Sequence, residues 1–179
     1  QLSVALNEPK WMREFRLNAW ATYQAMPMPT TKDEPWRRTD IRRLKLEQIG
    51  PALNGSGASE IPSYLGEQLT EDKTGGILVQ VDGITKQYER SQALADQGVL
   101  FCDMHTAVQE YPELVQQYFM KEAVLVDEGK FAALHGAFWR GGTFLYVPKG
   151  VRAAAPLHSA LWMVGGKTYT HTLVVLEEG

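Results

Sequence analysis

Four short apolar runs follow one another at residues 143–147, 151–157, 160–164 and 169–176, with no helical stretch between them. Pro148-Lys149-Gly150 and Gly165-Gly166 punctuate them, and Glu177-Glu178-Gly179 follows the last. Runs this short, joined through glycine turns, satisfy their backbone hydrogen bonds only by pairing with one another. That confines this part of the chain to a sandwich, a barrel or a β-helix. No repeat recurs at one clean period, so pattern alone leaves the three open.

Upstream the texture is helical and then mixed. Asn7 is read as an N-cap, with Glu8 and Pro9 in the first turn that follows. Trp11, Phe15 and Ala19 recur at four-residue spacing, and Met12, Trp20 and Tyr23 widen the stripe, which predicts an amphipathic helix. It ends before Met26-Pro27-Met28-Pro29, where prolines demand extended backbone. Residues 30–46 form a polar connector, and 54–59 (Asn-Gly-Ser-Gly-Ala-Ser) a linker by composition, where the first boundary is placed. Residues 76–89 alternate around Asp82-Gly83 and predict a hairpin, and 98–101 predict a short strand. Asp103 caps a helix that runs through Met120 or divides in two at Pro112. Asp127 caps a third helix, carrying Lys130, Phe131, Leu134 and Phe138 on one stripe and stopped by Gly141-Gly142. Three segments result: a helical region with its linker at 1–59, a mixed α/β segment at 60–126, and a β-rich segment at 127–179.

Composition removes several classes. The 179 residues are 44% hydrophobic and 22% charged, with a formal net charge of −3. This is the balance of a globular chain, not of a disordered, collagenous or disulfide-stapled one. No apolar run is long enough for a spanning helix, so no membrane partner is expected. The near-neutral charge argues against a dedicated nucleic-acid binder. Arg37, Arg38, Arg42, Arg43 and Lys45 form a basic cluster, but Glu34, Asp40 and Glu47 interleave with it, as in a solvated ion-pair face. The glycine pairs at 75–76, 141–142 and 165–166 lack the lysine-bearing form that cradles phosphates, so the chain is not itself an NTPase. The single cysteine, Cys102, lies in an apolar run and is read as buried filler; one cysteine fits a reducing compartment.

Two candidate sites remain. His158, His171 and Glu177 loosely resemble the cupin pattern, in which histidines and a glutamate converge on one divalent metal. The alternate-position histidine pair of that pattern is absent, because Thr170-His171-Thr172 supplies only one. His135 is read as a packed histidine within its helix. Trp11, Phe15 and Trp20 are candidates for partner binding if their helix docks onto another protein. No catalytic arrangement is readable, so the chain is expected not to be an enzyme. A small cupin-like metal-dependent enzyme and a structural adaptor remain the alternatives.

Three stretches resemble the SufB/SufD family, the scaffold subunits of an iron–sulfur cluster assembly system. The first is residues 8–20, with Glu8-Pro9, Trp11, Arg13, Arg16 and Trp20, followed by Met26-Pro27-Met28-Pro29. The second is Trp36-Arg37-Arg38-Thr39-Asp40-Ile41. The third and most specific is residues 130–151, with Leu134-His135-Gly136, Trp139, Gly142, Tyr146, Pro148 and Gly150, joined by 170–179. The second stretch is closer to the SufD branch, and Thr170-His171-Thr172-Leu173 departs from the strand typical of SufB.

The resemblance implies an α+β fold: a helical N-terminal region, then from about Thr143 the first strands of a right-handed parallel β-helix. It implies a non-catalytic scaffold that works with a SufB-like paralogue and a SufC-like ABC ATPase, in the cytoplasm or a plastid stroma. The iron–sulfur cluster belongs to the full complex, and no cofactor is expected on these residues. The chain, opening on Gln1 and stopping after an apolar run, is expected to be the N-terminal half of such a subunit. Cut there, it is expected to self-associate through its open end.

Overall fold

The computed structural model describes residues 2–45, 60–63, 74–164 and 168–178. The linker at 54–59, the boundary placed in it and the turn at 165–166 lie outside the described residues. In chain order the helices are α1 (Leu2–Ala5), α2 (Lys10–Ala25), α3 (Gln92–Asp96), α4 (Met104–Glu110), α5 (Pro112–Tyr118) and α6 (Lys130–Phe138). The strands are β1 (Gly76–Val81), β2 (Ile84–Arg90), β3 (Leu100–Asp103), β4 (Thr143–Val147), β5 (Leu157–Trp162) and β6 (Leu173–Leu176). They pack as two units, Gln1–Pro51 with Met120–Phe138, and Ala52–Phe119 with Trp139–Gly179.

In the first unit, α1 closes on Asn7, which takes the left-handed conformation at φ 49°. Asn7 N–H donates to the Val4 carbonyl at 3.1 Å and Glu8 N–H to that of Ser3 at 2.9 Å, the two bonds of a Schellman motif. Asn7 therefore ends α1 and does not cap α2, correcting the N-cap reading. Pro9, extended at ψ 157°, stands before α2 instead. Met12, Arg16 and Ala19 form the buried stripe of α2, and the helix stops where Met26, ahead of Pro27, turns extended.

Helix α6 packs on α2. Gly136 makes this possible, since a Cβ there would stand 3.2 Å from the Cβ of Ala19. Arg16 Nη1 donates to the Ala137 carbonyl at 3.1 Å. Lys130 Nζ donates to the carbonyls of Tyr23 and Met26 at 2.8 and 2.6 Å, closing the negative end of α2. The segment boundary placed at 127 divides a helix from its partner: α6, assigned above to the β-rich part, belongs with α2. It also begins at Lys130, with Ala133 N–H on the Gly129 carbonyl, and not directly after Asp127.

The second unit holds two three-stranded sheets, ordered β2-β1-β5 and β3-β4-β6. Asp82 (φ 49°) and Gly83 (φ 77°) both take positive φ, which gives the two-residue turn between the antiparallel strands β1 and β2. Strand β1 is buried along its whole length, so Ile77, Leu78, Val79 and Val81 fill space on both faces. Strands β1 and β5 run parallel, with Gly76 opposite Leu157, and β4 and β6 run parallel, with Phe144 opposite Leu173. Strand β3 is antiparallel to β4.

Pro112 does divide the helix begun at Asp103, whose carboxylate accepts from His105 and Thr106 N–H at 3.0 Å. The runs at 151–157 and 160–164 resolve into the single strand β5, and only residues 173–176 of the last run are strand. Residues 169–171 are bonded to 140–143 instead, with Arg140 N–H on the Tyr169 carbonyl at 2.7 Å and His171 N–H on that of Gly141 at 3.2 Å. Trp139, Phe101, Phe119, Phe144 and Met104 are buried in this core.

Candidate functional site

Parallel strands need a crossover between them, so β5 and β6 arrive late in the chain and sit at the outer edges of their sheets. Each presents one row of main-chain groups away from its sheet. Along them Leu161, Met163, Val164, Val174 and Leu176 are exposed, Leu176 to 68%. Beside β4, where β5 begins and β6 ends, lies an open apolar cleft of about 570 Å³, lined by Leu145, Val147, Val151, Ala153, Leu157 and Leu176 among others, with Arg152 the charged side chain on its wall. Thr143 on β4 and Ser159 on β5 join hydroxyls at 2.5 Å, tying the two sheets behind it. An edge with free ladder groups and a row of apolar side chains is a template for a further strand.

A backbone knot supports that edge from inside. The Gly142 amide donates to Oε1 of the buried Gln80 at 2.7 Å, and its carbonyl accepts from Met104 N–H at 3.0 Å. Thr143 N–H donates to the His171 carbonyl at 3.2 Å, and Gln80 Nε2 donates to Thr85 Oγ1 at 3.2 Å. One glutamine thus joins the hairpin to the strand pair β4–β6. Nothing local in the sequence around Gln80 signals this role.

The residues singled out in sequence are scattered. His158 lies on β5 opposite Ile77. The His171 ring packs on Phe119, with centroids 4.3 Å apart, and 6.2 Å from Trp139. The Glu177 carboxylate accepts from the Tyr146 hydroxyl at 2.8 Å and from Lys149 N–H at 3.3 Å, pinning the turn after β4. Among the described residues no three His, Cys, Asp or Glu side chains are grouped as metal ligands are. His158, His171 and Glu177 are thus not brought together as one group among the described residues: His171 rests on Phe119 and Glu177 holds the turn after β4. Burial, then the Arg16 guanidinium, holds the His135 pKa below its ordinary value, as suits a packed neutral ring. In the basic cluster, Arg42 grips Asp40 with two nitrogens and draws its pKa down to about 2, and Arg37 pairs with Glu34.

Cys102 is buried, and burial, with Asp103 and Glu110 adding to it, pushes its thiol up to about 12. Only the thiolate ligates metal or attacks carbon. Iodoacetamide at mildly alkaline pH is therefore expected to leave Cys102 unmodified in the folded chain and to label it in urea. Fast labelling of the folded chain would overturn this placement.

Of the aromatic candidates, Trp11 and Phe15 are half-buried along α2. Trp20 is 36% exposed, stacked on Tyr23 at 5.0 Å and edge-on to Phe138 at 5.3 Å. No helix among the described residues is long and apolar enough to cross a membrane.

Residues 3–158 match the family model described as the SufBD protein N-terminal region. The chain is similar to the iron–sulfur cluster assembly protein SufD of Bacillus subtilis (strain 168), at 35% identity over 176 residues, which cover 96% of this chain and 40% of that protein. It is also similar to an iron–sulfur cluster assembly SufBD family protein of Staphylococcus aureus (strain USA300), at 30% identity over 197 residues, covering 100% of this chain and 40% of the relative. The chain thus spans about two-fifths of the length of these relatives.

Proposed function

The chain belongs to the SufBD family, whose N-terminal region it matches, and on that premise we propose that it is the N-terminal part of a non-catalytic scaffold for iron–sulfur cluster assembly. The observation that carries this reading is the pair of parallel ladders, β1–β5 and β4–β6, ending in the exposed apolar edges of β5 and β6. A scaffold of stacked strands buries each layer against the next. In this reading β4, β5 and β6 are the first strands of a right-handed parallel β-helix, and later strands of the full-length protein cover the cleft at Leu145, Val147 and Leu176. The cluster is the cargo of the whole assembly, held by residues other than these. The full-length protein works in the cytoplasm, or in a plastid stroma, with a SufB-like paralogue and a SufC-like ABC ATPase.

Two measurements test the reading. Pull-down of the native-length gene product, with intact masses, is expected to return a bait well above 20.1 kDa with a paralogous scaffold and an ABC ATPase bound. A 20 kDa bait without them would remove the scaffold reading. Light scattering of the 179-residue chain is expected to show self-association that weakens when Val174 and Leu176 are changed to serine. A strictly monomeric, highly soluble chain would count against the open edge.

A further inference from the structure

We propose that the groove beside α1 and α2 in the first unit is a docking site for an acidic peptide segment of a partner protein, one that carries bulky apolar anchors. Helix α2 bears two stripes offset by one residue. Met12, Arg16 and Ala19 are buried, whereas Arg13, Leu17 and Trp20, at the same i, i+4, i+7 spacing, line the groove together with Leu2, Val4 and Phe138. Of these apolar side chains Leu2 is buried, while Val4 is 71%, Leu17 58% and Trp20 36% exposed. A contiguous apolar patch of this kind marks an interaction site. The groove encloses about 270 Å³, below the roughly 300–1,000 Å³ of small-molecule pockets. It suits side-chain anchors better than a ligand that must be surrounded. Trp20 is already held between Tyr23 and Phe138, so its indole costs little further ordering on binding.

Charge decides the partner. No lining residue is acidic. Arg16 is neutralised by Glu8, with Nη2 to Oε1 at 2.6 Å and Nε to Oε2 at 2.8 Å. Arg13 is exposed and makes no ion pair among the described residues, leaving one free cation beside the apolar wall. The complement is a carboxylate next to an apolar anchor. A membrane surface fits less well, because interfacial helices present a convex apolar face with several cations, and here a concavity carries one.

The test uses the 179-residue chain and two blocked amphipathic peptides with the same leucine and phenylalanine anchors, one flanked by glutamates and the other by lysines. Binding is followed by calorimetry and by amide shifts of residues 2–20. The glutamate peptide is expected to bind roughly tenfold more tightly than the lysine peptide, the scale of one rim charge pair. Arg13→Glu, at an exposed position, is expected to reverse that order, and Leu17→Ser to weaken both. The proposal is overturned by equal binding, by no binding, or by indifference to Arg13→Glu. It is also overturned if Leu17→Ser instead abolishes a concentration-dependent dimer, which makes the occupant a second copy, or if anionic vesicles bind and the peptides do not. The outcome is independent of the scaffold reading, which concerns the other unit.

Discussion

Gly142→Ala is expected to unfold the second unit or to lower its melting temperature by about 10 °C or more. Gly142 sits at φ +113°, outside the range of side-chain-bearing residues, and a Cβ there would lie 2.0 Å from the His171 carbonyl oxygen and 2.6 Å from its carbon and nitrogen. These are backbone atoms, so no rotamer change relieves the clash. Next to it, a Cβ on Gly141 would stand 2.7 Å from Gly83, so the hairpin turn blocks retreat on that side. Strain in φ alone costs on the order of 1–3 kcal/mol. With the loss of the bonds to Gln80 and Met104, the total is expected to pass about 4 kcal/mol, the exceptional class for one substitution. Gly129→Ala is the control: nothing lies within 4 Å of its added Cβ, and a change under about 1 kcal/mol is expected. Thermal unfolding of both variants checks this, and an unchanged transition for Gly142→Ala would refute the close approach.

The second large effect is expected at Glu8 and Arg16. Their side chains are 0% and 5% exposed, and the guanidinium grips the carboxylate with two nitrogens while a third reaches the Ala137 carbonyl. Removing one partner strands a buried charge, which costs about 3–5 kcal/mol. Glu8→Gln and Arg16→Met are each expected to fall in that range in urea unfolding. The double variant is expected to recover much of the loss, because no unpaired charge remains. Strict additivity would sink the account. Salt is expected to change little, since screening acts weakly on a buried pair.

The pair also shows how far the residues could be read before folding. In sequence Arg16 entered only among the residues 8–20 that carry the family resemblance, with no role attached, and Glu8-Pro9 was read as the first turn of a helix. What made Arg16 a core residue was α6, more than a hundred residues away in the chain, whose Ala137 carbonyl needed a donor. The Asn7 reading failed for a related reason. Asparagine serves both as an N-cap and as a left-handed helix stop, and only the presence of α1 ahead of it selects the second. The exposed row on β5 and β6 was half legible. Leu173-Val174-Val175-Leu176 is apolar at every position and reads as a buried strand, yet Val174 and Leu176 are exposed and Val175 is buried. His158, His171 and Glu177 looked related only because they are few. Spacing along a chain carries no distance.

By itself the sequence settled what is local. Asp82-Gly83 turns because few other dipeptides accept two positive φ values, and α2 stops because Pro27 forbids helix at Met26; at Pro112 the sequence left one helix or two open, and the structure chose two. It also carried the family resemblance, in motifs spread from Glu8 to Gly179. Tertiary structure decided which strands run parallel, that α6 serves α2, and that Gln80, Gly142 and His171 meet. Those outcomes depend on which distant groups satisfy one another's hydrogen bonds and fill one another's space, and no short window of residues contains both halves of such a contact.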